Sequence, residues 1–134
     1  MPILSIIRGL PTSGKSTLAR KFGCLHLEAD MFFMVDGSYR YDALKIEAAP
    51  LWCQRMAFHA LLLGFDVVVS NTFTRVWELD PYLQMAKESG SQVSIYRTTR
   101  DFVGLHRVPE LTLEAMRLRL EDVEREIFVG DTHA

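Results

Sequence analysis

The run IIRGLPTSGKSTLAR, residues 6–20, leaves this chain the least freedom. Residues 3–8 (ILSIIR) are short, apolar and β-branched, the composition of a strand buried on both faces. That run stops at Gly9, and a Gly-x-x-x-x-Gly-Lys-Ser spacing over residues 9–16 leads into a helix predicted over 15–22. Glycines at both ends let the backbone turn its amides inward, where a Cβ would obstruct. A strand that passes into a helix through such a turn belongs to a parallel sheet with helical crossovers.

The rest of the chain repeats that alternation. Residues 24–28 (CLHLE) alternate and predict a second strand. Turn signals at Asp36-Gly37-Ser38 precede a long helical stretch from Asp42 to Leu63, which Pro50 is expected to kink or split. Gly64 ends it, and FDVVVS (65–70) is the clearest buried strand. Residues 75–89 predict a helix with Val76, Leu79, Leu83 and Ala86 on one face, closed by Gly90. QVSIYR (92–97) predicts a fourth strand. A last helix is expected from Pro109 to Phe128, with an apolar stripe of Leu113, Met116, Leu120, Val123 and Ile127 and a wet side of Arg117, Glu121 and Arg125. The pattern predicts an α/β fold, a four- to five-stranded, mainly parallel sheet with helices on both faces. One domain is expected over 1–128, with a flexible tail at 129–134.

Composition narrows the partners. Of 134 residues, 49% are apolar and 24% charged, as in an ordinary globule. The net charge of −2 argues against sequence-blind duplex binding, which needs a positive field, and leaves room for a small basic groove. Cys24 and Cys53 form no CxxC and no metal-like spacing with histidine, so two buried thiols in a reducing compartment are expected. No apolar run reaches the ~18–20 residues of a membrane span, and the N-terminus has no signal-peptide pattern. A cytoplasmic protein without membrane association is the expectation.

The chemistry starts at residues 9–16. Amides of a turn containing Gly9, Thr12, Ser13 and Gly14, with the helix start at Lys15, are suited to cradle phosphates. Lys15 is expected to reach the β- and γ-phosphates and the Ser16 hydroxyl to help hold Mg²⁺. Thr12 stands where another glycine is common, and must keep a negative φ. Asp30 follows the second strand and should face the same crevice, since parallel sheets bind ligands at the carboxyl ends of their strands. There it either accepts a proton from an attacking hydroxyl or caps the short helix at 31–34. Asn71 and Thr72, at the third strand's tip, are candidates for a metal-bound water, the acceptor or their own turn. Arg100, His106 and Arg107 precede the last helix, either as a lid over the triphosphate or as solvated surface. His26 and His59 read as packing residues, and core packing is the first expectation for Trp52, Phe58, Trp77 and the Phe32-Phe33 pair.

With these residues assembled, the chain resembles the small P-loop kinase domains related to phage-type polynucleotide 5′-kinase, over roughly residues 3–122. The resemblance rests on RGLPTSGKSTLAR, on ADMFF followed by DGSYRYD, on VVVSNTFTRVWELDPY and on VPELTLEAMRLRLE. It implies a P-loop NTPase fold with ATP and Mg²⁺ as cofactors. Lys15, Ser16 and Thr17 would bind the triphosphate and metal, Asp30 would be the general base toward a 5′-hydroxyl, and Arg107, with His106 beside it, would fall in the region that supplies a lid arginine. Lys15, Asp30 and Arg107 are then the catalytic candidates. The sequence also departs from the family's pattern. A second acid after the catalytic one is replaced by Met31, an acceptor-side arginine by Phe33 or Met34, and a second-helix histidine by Pro50. The third-strand tip, Ser70-Asn71-Thr72-Phe73, lacks the acid that normally helps place Mg²⁺, which leaves Asp30 as the main acidic candidate. Three activities remain open: a kinase acting on the hydroxyl of a nucleic-acid end, a nucleotide or another small molecule; a nucleotide-binding module that regulates a protein partner; and a slow ATPase.

Overall fold

The computed structural model describes residues 1–11, 13–99 and 110–130, the side chains of Glu110 and Leu113 excepted. Five parallel strands form one sheet in the order β2-β5-β1-β6-β7, from β1 (Ile3–Arg8), β2 (Leu25–Leu27), β5 (Val67–Ser70), β6 (Gln92–Thr98) and β7 (Ile127–Val129). A two-stranded antiparallel hairpin, β3 (Met34–Val35) and β4 (Ser38–Tyr39), stands apart from it. The helices are α1 (Lys15–Arg20), α2 (Ala48–Leu62), α3 (Asp80–Ser89) and α4 (Glu110–Arg119). This is the α/β P-loop NTPase architecture expected.

Alternation along the central strands sorts the core into two faces. Val67 and Val69 of β5, with Leu4 and Ile6 of β1, pack against Cys53, Ala57 and Leu61 of α2 and Tyr82, Met85 and Ala86 of α3. Val68 and Ile7 point the other way, onto Ala19, Leu18 and Phe22. Both faces being covered, the central strands carry no polar-out alternation, which is why VVV reads so clearly as a buried strand.

Several expectations change. The stretch 42–63 is split, one of the two outcomes expected, but the break falls before Pro50 rather than at it. Asp42 caps a separate short turn, its Oδ1 accepting from the Leu44 amide at 3.0 Å. The helix begins afresh at Ala48, and so Pro50 falls in its first turn, where an amide has no intrahelical acceptor to lose. The stretch 75–89 is also split, into a 3₁₀ turn (Val76–Leu79) and α3. That change of pitch moves the buried face to Leu79, Tyr82, Met85 and Ala86 and leaves Val76 and Leu83 exposed. Gly90 closes α3 in the left-handed conformation, as expected. Cys53 is buried, but Cys24 only partly.

The largest correction is at the C-terminal end. The predicted helix to Phe128 stops at Arg119, and residues 127–129 pair in parallel with β6. The Glu121 amide donates to the Thr74 carbonyl at 2.7 Å, and Arg125 turns the chain at φ 65. A buried ion cluster fastens the segment. Arg8, at the end of β1, is fully buried; its Nη1 donates to Glu126 Oε2 at 2.7 Å, and its Nε and Nη2 donate to the Phe73 carbonyl at 3.1 and 2.7 Å. Arg97 of β6 donates to Glu126 Oε1 at 3.0 Å and to Asp122 at 2.6 Å. Phe73 has φ 46, a conformation that costs an L-residue about 1–2 kcal/mol. The two Arg8 bonds to its carbonyl help offset that cost.

Candidate functional site

The carboxyl ends of β1, β2 and β5 open into a cleft of about 970 Å³. Gly14, Lys15, Ser16 and Thr17 line it beside Glu28, Asp30, Ser70 and Asn71. The sequence-predicted loop and Asp30 thus share one cavity. Thr12, Arg100, His106 and Arg107 lie outside the described residues.

Gly9 and Ser13 build the loop from beneath. The Gly9 amide donates to the Thr72 carbonyl at 3.2 Å. A Cβ at Gly9 would run into Thr98 Oγ1 and come within 2.6 Å of Ser13 Oγ, so close strand packing requires glycine there. Ser13 is buried, its hydroxyl donating to the Leu10 carbonyl at 2.6 Å and bonded to Thr98 Oγ1 at 2.6 Å. Its side chain serves the scaffold. Gly14 caps α1 at φ 95, a left-handed conformation that favours glycine.

Lys15 folds back on the loop, its Nζ donating to the Gly9 and Leu10 carbonyls at 3.0 and 2.8 Å. Burial pulls its pKa down to about 8, against the opposing pull of Glu28 and Asp30. The ammonium is bonded to two neutral carbonyls and lies in the field of the Glu28 and Asp30 carboxylates.

Glu28 was not singled out from the sequence. Its Oε1 accepts from Ser16 Oγ at 2.6 Å and from Ser70 Oγ at 2.9 Å, and His26 Nε2 stands 3.2 Å away. His26 Nε2 also lies 2.6 Å from Ser70 Oγ, which makes His26 part of a polar relay rather than the packing residue expected. Burial alone would push the Glu28 carboxyl up. Hydrogen bonds from His26, Ser16 and Ser70 outweigh it and hold the group at about 2. The acid missing from the β5 tip therefore has a neighbour one strand away: β2 and β5 pair with Leu27 opposite Val69, which brings Glu28 beside Ser70. A signal was present in LHLE, whose last residue directly follows β2 at the strand's carboxyl end.

Asp30 lies in the 3₁₀ turn Ala29–Phe33 that follows β2, and is exposed to the cleft. Asn71 positions that turn, its Oδ1 accepting from the Ala29 amide at 2.9 Å. Asn71 thus holds the turn after β2 and also lines the cleft. Behind the turn, Phe32 packs against Trp52 and Phe33 against Tyr41, so those aromatics form a wall rather than a free stacking platform. Trp77 is the exception, an exposed ring on the cleft's rim.

Ser16, Glu28 and Asp30 offer hard oxygen donors, the chemistry that suits Mg²⁺. Among the described residues no group of three or more His, Cys, Asp or Glu side chains makes a metal site by itself. Such a donor set fits a cation that arrives with phosphates and keeps part of its water shell.

A family model described as an AAA domain matches residues 4–110. The chain belongs to that family. It is 32% identical over 92 residues to human NEDD4-binding protein 2, a match covering 64% of this chain and 5% of that protein. The chain thus corresponds to a small fraction of that relative's length. Among solved structures, a sugar kinase from Janibacter sp. superposes with a TM-score of 0.69 at 14% identity, covering 97% of this chain and 86% of that one. A putative kinase from Chloroflexus aurantiacus gives 0.71 at 17% identity, covering 98% and 86%. A chain of the Pnkp1/Rnl/Hen1 RNA repair complex gives 0.70 at 19% identity, covering 89% and 44%. At such identities the likeness is one of fold alone, the α/β P-loop NTPase fold. No helix among the described residues is long and apolar enough to cross a membrane.

Proposed function

We propose that the domain binds ATP with Mg²⁺ and transfers the γ-phosphate to a hydroxyl of a small acceptor. The observation that carries this reading is the meeting of Lys15 and Asp30 in one cleft, close enough for the Asp30 charge to act on the Lys15 ammonium. Lys15 exchanges its two carbonyl partners for phosphate oxygens. Ser16 would hold the cation, which would supply neutralisation of charge on the phosphates. Asp30 accepts the acceptor's hydroxyl proton as that oxygen bonds to the γ-phosphorus. The bond from the γ-phosphorus to the β–γ bridging oxygen breaks, and the nucleoside diphosphate leaves with the electron pair.

The cleft favours a compact acceptor. Its described cations, Lys15 and Arg20, both belong to α1, whereas Trp77, Pro50, Gln54 and Met116 line other parts of it. An aromatic face with amide and carboxylate partners suits a sugar or nucleoside; a phosphodiester strand calls for a track of cations. The resemblance to 5′-kinases of polynucleotides is the second reading, favoured by the fold shared with the RNA repair neighbour.

The test offers γ-labelled ATP with nucleosides, sugars and 5′-hydroxyl oligonucleotides. Label is expected on a nucleoside or sugar. Label on the oligonucleotide alone overturns the acceptor class, and free phosphate alone overturns transfer. Asp30→Asn is expected to lower transfer by about 10²–10⁴-fold, the usual contribution of a general base, while ATP binding persists. Undiminished transfer by that variant refutes the assignment of the base.

A further inference from the structure

Glu28 is placed awkwardly for a simple polyanion site. Its carboxylate is fixed by two hydroxyls and an imidazole, and it lines the cavity that holds Lys15. The described residues around that cavity include two cations, Lys15 and Arg20, against three carboxylates, Glu28, Asp30 and Glu78. Glu28 touches Ser16 directly, so phosphate oxygens drawn to the Ser16 end of the loop come close to a negative charge. Like charges at that range in a half-buried site oppose binding strongly. A divalent cation between them reverses the sign of the interaction. The same residues do not gather a cation unaided, since the described side chains form no three-acid or mixed metal cluster.

We propose that Glu28 makes triphosphate binding conditional on a divalent cation, repelling the bare phosphate chain and, through Ser16, holding the cation-loaded one. The inference rests on the reading of this loop as a triphosphate site. Glu28 acts here as a positioning and selectivity residue, working through its bond to Ser16. Ser70 supports it from β5, and His26 from behind.

Calorimetric titration of the full chain with ATP, in excess Mg²⁺ and separately in EDTA, reads this directly. Wild type is expected to prefer the Mg²⁺ condition by tenfold or more. In Glu28→Gln the two affinities converge: binding tightens in EDTA and weakens in Mg²⁺, and the ratio falls on the order of tenfold, the effect of removing one close charge. A residue that only shapes the loop would weaken both equally, and that result overturns the inference. An unchanged ratio overturns it as well. Lys15→Ala is expected to lose affinity in both conditions, which separates a failed selectivity from a failed site. If wild type binds ATP in neither condition, the triphosphate reading falls and the inference with it. A second measurement needs no variant. Mn²⁺ followed by its paramagnetic resonance should stay free with the protein alone, whereas the signal of the Mn²⁺–ATP complex should change when the protein is added. Tight Mn²⁺ binding without ATP contradicts the proposal.

Discussion

Two carboxylates, Glu28 just after one edge strand (β2) and Glu126 just before the other (β7), are treated in opposite ways. Glu126 is almost wholly buried, its side chain 2% exposed, and two guanidiniums neutralise it. Glu28 is 25% exposed and is held mainly by neutral hydroxyls, with one histidine nearby. The first charge is consumed by the fold: it joins the segment 121–129 to β1 and β6. The second is fixed in place yet left with a net charge toward the cleft. Hydrogen bonds alone do not distinguish them, since both accept several. What separates them is whether the partners cancel the charge or merely orient it.

The largest expected effect tests that contrast by stability. Glu126→Gln leaves Arg8 buried without its counter-charge and should cost about 3–5 kcal/mol in urea unfolding. Glu28→Gln loses charge-assisted bonds at a half-exposed site and should cost about 1 kcal/mol. Equal losses would erase the distinction.

A smaller effect concerns Lys15. Its pKa near 8 in the free protein means that the ammonium is lost as pH rises through 8, and ATP affinity should decline over that range. Bound phosphates favour the charged form, so binding near pH 8 should take up protons. Titrations in two buffers of different ionisation enthalpy measure that uptake, and identical apparent enthalpies would contradict it. Without ligand the unfolded chain holds the Lys15 proton up to about 10.5, so this group makes stability rise with pH between 8 and 10.5.

The smallest effect is on the acid side. Glu28 is held at about 2 against an ordinary 4.5, so the unfolded chain binds its proton first as pH falls. Its contribution to stability is complete above 4.5 and disappears as pH approaches 2. The slope of unfolding free energy against pH in that window should be shallower in Glu28→Gln than in wild type. Matching slopes would mean that the three bonds to Glu28 do not persist in solution.

The contrast also explains what the sequence disclosed. Residues 3–20 were legible because a buried strand, a glycine turn and a helix start follow one another within one local pattern. The cleft position of Asp30 followed from the rule that parallel strands present their carboxyl ends to ligands. Glu28 was obscured because its role depends on Ser70, 42 residues away and one strand over. Arg8 and Glu126 are 118 residues apart, and nothing near either residue signals the pair. The end of α4 was misread for a different reason. Met116, Leu120, Val123 and Ile127 continue a helical spacing past the point where Thr74 captures the Glu121 amide, and no glycine or proline marks the stop. Local periodicity loses there to a tertiary hydrogen bond.

The most direct test of the contrast is carbon-13 NMR of protein labelled at its glutamate carboxyls, titrated with ATP and Mg²⁺. The Glu28 resonance is predicted to move with saturation while Glu126 stays fixed. A stationary Glu28 signal, or one that moves no more than Glu126, would contradict the view that this charge is kept for a ligand.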